Sequence, residues 1–330
     1  MAGERVSGAC VVPAAAWLLL LTTSCMTVPG DQDVQQGPVA EERGAIPKGS
    51  LQESSVLLTG VNTTIDYSVY LPPNFDESAS YPAVYLLHGR GDGNQAWHRT
   101  RALFDELIAD EAVPPFIAIM PDVPFAERAS YYVNSDYLEI AVETALVEEF
   151  LPHIESTLPV HTGREARLVA GYSMGGYGAT RYLFAHPDVF SAAIVLSPAV
   201  YTPVPPEDSS ARSYGAFGSG DSSFDADRYR ELNYPTLLRQ FRGGRTPAKV
   251  FIAVGDDEWK HPHPEDAMHD LDMEAHLLFN RLSRINGVEA EFRVYDGGHD
   301  WDVWLRGLRE GLIHLSRHLR LGGFSQSSEN

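Results

Sequence analysis

Ser173 stands in the pentapeptide Gly-Tyr-Ser-Met-Gly, which spans residues 171–175. An apolar run at 168–170 precedes this pentapeptide and a helical pattern follows it, so the serine is predicted to lie on a sharp turn between a buried strand and a helix. Glycines are needed on both sides because side chains two residues before and after the serine would clash in such a turn. The pattern predicts nucleophilic catalysis by Ser173.

A serine hydroxyl is a poor nucleophile until a neighbouring base removes its proton. His299 is the predicted base, because it follows a strand candidate at 291–295 and the turn 296–298, and precedes the last helical pattern. The chain has 12 histidines, so the position after a late strand is what distinguishes this one.

A third group, an acid, must orient the imidazole of such a base. The loop after the apolar run 250–254 reads Gly255-Asp256-Asp257-Glu258 and offers three carboxylates. Each of them could reach a histidine on the neighbouring loop. From the residues alone the choice among Asp256, Asp257 and Glu258 stays open.

Strand and helix patterns alternate along the chain from about residue 52. Strands are predicted at 64–71, 83–87, 116–120, 168–170, 192–196, 250–254 and 291–295. Helices are predicted at 102–108, 137–154, 175–184, 271–285 and 303–319. This order is typical of an α/β fold in which a mostly parallel central sheet, built as a single domain, carries helices on both faces. Ligands bind such sheets beyond the carboxyl ends of the strands, which is where the candidate residues fall.

The first 25 residues have the layout of a signal peptide, with Arg5, an apolar core too short to span a bilayer, and small residues leading into Cys25. This segment resembles a lipobox, so we expect an exported protein that is a cell-surface or periplasmic lipoprotein anchored through Cys25, and otherwise a secreted one. Residues 26–51 are interpreted as a flexible tether and 321–330 as a disordered tail. Residues 203–234 break the strand and helix rhythm and are predicted to be an insertion near the site.

The chain carries 45 acidic against 25 basic residues, a formal net charge of −20. Such a field repels phosphate backbones, so no nucleic-acid partner is expected, and the membrane is expected to be contacted only through the lipid on Cys25. The other cysteine, Cys10, lies inside the predicted signal peptide, which excludes disulfides and cysteine metal sites from the folded domain.

Two alternative hypotheses would place a metal ion in the protein, although no cofactor is expected. One is a histidine and aspartate cluster made of His261, His263, His269, His276, Asp266, Asp270 and Asp272. The other is a calcium loop made of Asp221, Asp225 and Asp227. Both are disfavoured: no HExxH pair appears, and the aspartate spacing lacks the glycine and final glutamate of a calcium loop.

Four segments together resemble one family from about residue 54 to residue 319. They are Tyr85-Leu86-Leu87-His88-Gly89, the turn 171–176, the loop 255–258, and Gly297-Gly298-His299-Asp300-Trp301 with Trp304. The chain resembles the putative esterase family of α/β hydrolases, which includes feruloyl esterases, S-formylglutathione hydrolases and the antigen 85 mycolyltransferases. The resemblance implies an α/β-hydrolase catalytic domain at 52–320.

The same resemblance implies roles for individual residues. Glu258 would be the acid, with Asp257 as the alternative, and the backbone N–H groups of Arg90 and Met174 would form the oxyanion hole. Independently of the resemblance, the aromatic side chains of Trp97, Trp301 and Tyr172 are expected to bind substrate.

The implied activity is that of a serine hydrolase that cleaves carboxylic esters through an acyl-enzyme on Ser173. Its substrates would be small-molecule or polysaccharide-linked esters with feruloyl, acetyl or other small acyl groups. The alternatives are an acyltransferase of the mycolyltransferase type and a catalytically inactive, surface-displayed binding protein with the hydrolase fold.

Overall fold

Eight strands form the central sheet, in the order β1-β2-β4-β3-β7-β8-β9-β10. The structure is a computed structural model that describes residues 46–241, 246–259 and 269–319. The bounds are β1 Ser50–Leu58, β2 Thr63–Leu71, β3 Ala83–Leu87, β4 Ile117–Pro121, β7 Arg167–Tyr172, β8 Ala192–Leu196, β9 Ala248–Gly255 and β10 Val288–Tyr295. Two short strands pair separately, β5 Asn134–Ser135 and β6 Ile140–Ala141. Within the central sheet, the six neighbouring strands β4, β3, β7, β8, β9 and β10 run parallel, whereas β1 and β2 are antiparallel to their neighbours.

The central strands are buried on both faces, which is why they occur in the sequence as continuous apolar runs. Side chains alternate across a strand. In β3, Tyr85 and Leu87 therefore join one core and Val84 and Leu86 the other.

Helices cover both of these faces. Their bounds are α1 Arg101–Ala109, α2 Val142–Thr144, α3 Leu151–Thr157, α4 Met174–Ala185, α5 Ala226–Leu232, α6 Tyr234–Gln240, α7 Leu271–Leu282 and α8 Trp301–Leu319. Five 3-10 turns lie at Thr59–Val61, Asn94–Thr100, Ala126–Arg128, Arg164–Ala166 and Ser210–Arg212. Helices α1 and α8 contribute to one core, and α3, α4 and α7 contribute to the other. The predicted mostly parallel sheet with helices on both faces is confirmed, and the described residues belong to one compact unit.

The structure differs from the predicted elements in two places. The predicted helix 137–154 begins only at Val142, because residues 134–141 form the β5–β6 hairpin, and it continues through a π-helical stretch, Ala145–Phe150, to Thr157. Strand β1 begins at Ser50, inside the segment predicted as tether, and Gly49 already donates its N–H to the buried Asp105 at 2.8 Å.

The predicted insertion 203–234 contains helix α5 and ends at the first residue of α6. Asp225 begins α5 as its N-cap, since its side chain accepts the N–H groups of Asp227 and Arg228. Asp227 in turn pairs with Arg230. Two of the three aspartates of the calcium-loop hypothesis, Asp225 and Asp227, therefore make their contacts within helix α5.

Several predicted segments lie outside the described residues: the signal peptide 1–25, residues 26–45 of the tether, and the tail 321–330. Within the described part of the chain, no helix has both the length and the apolar composition needed to cross a bilayer.

Candidate active site

Ser173 occupies the turn between β7 and α4 with φ 56° and ψ −119°, a backbone conformation that is strained for a residue with a side chain. Its N–H donates to the carbonyl of Leu196 in the neighbouring strand β8 at 2.9 Å. A Cβ on Gly171 would lie 2.2 Å from the carbonyl oxygen of Gly175, and one on Gly175 would lie 2.1 Å from that of Leu87. Gly171 is therefore required by the turn itself and Gly175 by the close approach of β3, and the turn exposes the serine side chain at the end of β7.

Glu258 and His299 are joined by a hydrogen bond of 2.7 Å between Oε2 and Nδ1. The carboxylate can only accept, so Nδ1 carries the proton and Nε2 is left as the free acceptor of the ring. The Glu258 side chain is fully buried, whereas that of His299 is 36% exposed. A buried carboxylate thus fixes the tautomer of a histidine that still reaches solvent.

The other two loop carboxylates lie elsewhere. Asp256 and Asp257 are exposed, and Asp256 accepts the N–H of Gly297 at 3.0 Å. The N–H of Asp257 donates to the Gly297 carbonyl at 3.0 Å. Among the three candidate acids, Glu258 is the one whose carboxylate contacts His299.

Ser197 and Trp304 hold Glu258 in place, and their role was missed by the sequence reasoning. The hydroxyl of Ser197 hydrogen-bonds Glu258 Oε1, and Trp304 Nε1 donates to that hydroxyl at 2.9 Å. The Trp304 ring also packs edge-on against His299, with 5.0 Å between ring centres. The available signal was position, since Ser197 directly follows the buried strand β8.

The loop after β3 is organised around the fully buried His88. Its Nδ1 bonds the carbonyl of Gly89 at 2.8 Å, and its Nε2 accepts the N–H of Val123 at 3.1 Å. Tyr132 donates to the His88 carbonyl at 2.9 Å. Burial lowers the pKa of His88 and keeps the ring neutral, as the accepting Nε2 requires. His88 therefore shapes the loop and does not carry protons for the pocket.

The predicted oxyanion donors lie on the two segments that flank Ser173. Arg90 lines the pocket, on the loop that His88 shapes. Met174 is the first residue of α4, where backbone N–H groups have no partner within the helix. The Met174 side chain is fully buried, so only its backbone could serve a substrate.

The predicted substrate-binding aromatics separate into one residue at the pocket and two behind it. Tyr172 lines the pocket and donates to Asp92 at 2.6 Å. Burial raises the pKa of Tyr172 above its usual range, and the hydrogen bond to Asp92 raises the pKa further. Trp97 is 0% exposed and packs against Tyr172 and Trp301, so the expectation that Trp97 contacts substrate does not hold. Trp301 lies under the guanidinium of Arg99, 4.2 Å away.

Ser173 and His299 line the same cavity, whose volume is about 340 Å³. Its wall comes from the loops after β3, β4, β8, β9 and β10, and from the insertion. The lining residues include Gly89, Arg90, Tyr131, Tyr201, Pro206, Ser209, Ser210, Asp257, Glu258, Trp259, Asp270, Leu271 and Trp304. In the described residues the Ser173 hydroxyl has no hydrogen-bond partner, His299 included. Bonds between such groups are often long before substrate binds.

The histidine and aspartate cluster is only partly within the described residues. His261, His263 and Asp266 lie outside them. His276 packs against Phe292, and His269 lies 3.5 Å from Glu274. In the part of the chain that is described, the one group with metal-ligand spacing is the exposed trio Asp256, Asp257 and Asp296, which does not include these histidines.

A family model described as "Putative esterase" matches residues 59–315. The chain belongs to this family. A solved ferulic acid esterase superposes with a TM-score of 0.66 and 25% identity, covering 82% of this chain and 99% of that one. The family and the fold together make the chain an ester hydrolase of the α/β-hydrolase class.

Two curated relatives align with this esterase over different shares of their length. An acetyl esterase from Caldicellulosiruptor saccharolyticus is 27% identical over 251 residues, which is 73% of this chain and 85% of the relative. An endo-1,4-beta-xylanase/feruloyl esterase from Xylanibacter ruminicola is 27% identical over 192 residues, which is 54% of this chain and only 26% of the relative. The chain therefore corresponds to one part of that larger protein.

Proposed function

We propose that this esterase cleaves its substrates through an acyl-enzyme on Ser173, with His299 as base and Glu258 as the acid that orients it. The observation that carries the proposal is the shared cavity. A serine held in a strained turn lines it together with a histidine whose Nδ1 is bonded to a buried carboxylate.

The reaction would proceed in two halves. His299 Nε2 takes the proton of Ser173 as Oγ attacks the ester carbonyl, and the resulting oxyanion accepts the N–H groups of Arg90 and Met174. Collapse of this intermediate breaks the bond to the alcohol, whose oxygen takes the proton from His299. Water, activated by the same histidine, then attacks the acyl-enzyme and releases the acid.

We propose feruloyl, acetyl or other small acyl groups as the substrate class, on small alcohols or on polysaccharides. The names of the relatives and the cavity of about 340 Å³ support this class. Water is the proposed acceptor, because the relatives named above are esterases. A panel of p-nitrophenyl esters of rising chain length, run beside methyl ferulate and acetylated xylan, would define the acyl preference.

Replacing Ser173 with Ala should lower ester turnover by at least 10³-fold, because no other group in the proposed mechanism can form the acyl-enzyme. Turnover of the best panel ester and labelling by a fluorophosphonate are the measurements. An unchanged melting temperature would show that the variant is folded. A variant that keeps its rate, or a wild type that takes up no label, would contradict the mechanism.

We also propose that the esterase is exported and anchored by a lipid on Cys25. The support comes from the sequence: a short apolar core, small residues before Cys25, and a polar segment after it that could act as a tether.

A further inference from the structure

We propose that Trp259 is a platform on which a sugar ring of the substrate stacks, so that the leaving alcohol of this esterase is a carbohydrate. The inference rests on the proposed ester hydrolysis at Ser173. It concerns the alcohol side of the ester, whereas the acyl preference is left to the ester panel.

The first observation is the exposure of Trp259. Its side chain lines the cavity and the residue is 55% exposed, whereas Trp97 is 0% and Trp304 7% exposed. Trp259 belongs to neither apolar core of the described structure. A large exposed aromatic surface at a pocket marks a contact site more often than a packing role.

The second observation is that the loop leading to Trp259 is bonded to its surroundings at the two residues before the indole. The preceding residue, Glu258, accepts the N–H of Gly255 at 2.8 Å and binds His299 at 2.7 Å. The N–H of Asp257 is bonded to the Gly297 carbonyl. An aromatic side chain on an anchored loop loses little further freedom when a ligand stacks on it.

The third observation is the side of the cavity on which Trp259 lies. In the sheet, β9 and β10 lie on one side of β7, and β3 and β4 lie on the other. Trp259 and His299 follow β9 and β10, whereas Arg90, an oxyanion donor, follows β3. The leaving oxygen takes its proton from His299, so the alcohol departs on the side of Trp259.

The chemistry beside the indole favours a sugar over other alcohols. Asp257 also lines the cavity, is exposed, and directly precedes Glu258 in the same loop. Its carboxylate can accept the hydroxyl groups of a sugar whose C–H face lies on Trp259, an interaction that an alkyl chain cannot make.

The test compares two esters with the same acyl group, methyl ferulate and a feruloylated arabinoxylan oligosaccharide, or their acetyl counterparts if the panel favours acetyl. In Trp259→Ala, the ratio of kcat/KM for the oligosaccharide ester to that for the methyl ester should fall about tenfold, mainly through KM. Trp259→Phe, which keeps an aromatic face, should retain most of the ratio. Leu57→Ala is the matched control, because Leu57 is 59% exposed on β1 at the far edge of the sheet.

A second readout does not depend on turnover. In a Ser173→Ala background, adding Trp259→Ala should raise the calorimetric Kd for the oligosaccharide ester about tenfold. Equal losses on both esters, or an unchanged ratio, would overturn the inference. So would a larger loss on feruloylcholine than on the oligosaccharide ester, which would assign Trp259 to a cationic alcohol. Failure of the proposed function is distinct, since the wild type would then hydrolyse neither ester.

Discussion

The carboxylate of Glu258 accepts hydrogen bonds from three donors, namely His299, Ser197 and the backbone of Gly255. A buried charge is tolerated when its lone pairs are satisfied in this way. The hydroxyl of Ser197 is itself fixed by Trp304. The position of the Glu258 carboxylate therefore depends on residues at or after the carboxyl ends of β8, β9 and β10. Glu258 is therefore held where it can stabilise a positively charged imidazole.

Glu258→Gln should lower kcat by about 10²-fold to 10⁴-fold, because a neutral amide cannot stabilise the imidazolium and can present its NH₂ group to Nδ1. Asp257→Asn, one residue away and exposed, should change kcat for a small ester by less than about threefold. Steady-state kinetics with p-nitrophenyl acetate would separate the two variants. A larger loss in Asp257→Asn would transfer the role of the acid to Asp257.

The turn between β7 and α4 depends on space as much as on backbone angles. In Gly175→Ala, the added Cβ would lie 2.1 Å from the Leu87 carbonyl oxygen, which belongs to the backbone of β3 and cannot move aside cheaply. We expect a loss of about 3 kcal/mol or more in unfolding free energy, measured by urea denaturation. Gly220→Ala is the control, since nothing lies within 4 Å and only its φ of +56° is strained, for about 1 kcal/mol. Equal losses would exclude the clash as the cause.

Helix α7 is attached to the loop after β8 by Glu274, whose Oε1 accepts the Thr202 N–H at 2.8 Å. Its side chain is fully buried, and its Oε2 has no partner in the described residues. Burial raises the pKa of Glu274 from 4.5 to about 8, although the hydrogen bonds from Thr202 and, less, the charge of Arg281 oppose this shift. His269 Nδ1, on the loop before α7, lies 3.5 Å from Glu274 Oε1.

This raised pKa makes the stability contribution of Glu274 depend on pH. The unfolded chain ionises near 4.5 and the folded protein near 8, so the unfolding free energy falls as pH rises across that window. Glu274→Gln cannot ionise, so its melting temperature should equal that of the wild type near pH 4.5 and exceed it increasingly towards pH 8. The exposed Glu77→Gln is the control. A difference in melting temperature that stays constant with pH would show that Glu274 does not titrate in this range.

At the scale of the whole molecule, the net charge of −20 disfavours binding to anionic lipid headgroups, so membrane attachment would need a covalent lipid. In the native host, Cys25→Ala should shift the esterase from the detergent-requiring membrane fraction to the soluble fraction and remove labelling by a palmitate analogue. Cys10→Ala, inside the predicted signal peptide, should change neither. Wild-type protein that is extracted without detergent would contradict the anchor.

Sequence alone determined the features that depend on neighbouring residues. The buried strands were recognised because each needs a continuous apolar run. The Ser173 turn was recognised because strand, Gly-x-Ser-x-Gly and helix follow one another in the chain, although Gly175 is required by Leu87 of the neighbouring strand β3. The order of strands and helices then indicated the fold class. The start of the 137–154 helix was misplaced because β5 and β6, before Val142, are two residues each and too short to show the alternation typical of a strand.

The tertiary structure decided what depends on packing between distant segments. Three adjacent carboxylates follow β9, and only the contacts with Ser197 and His299, 61 and 41 residues away, select Glu258. Likewise Trp97 is buried by Tyr172 and Trp301, whereas Trp259 is left exposed at the cavity. Side-chain type states what a residue can do, but its burial and its partners are set by segments far away in the chain.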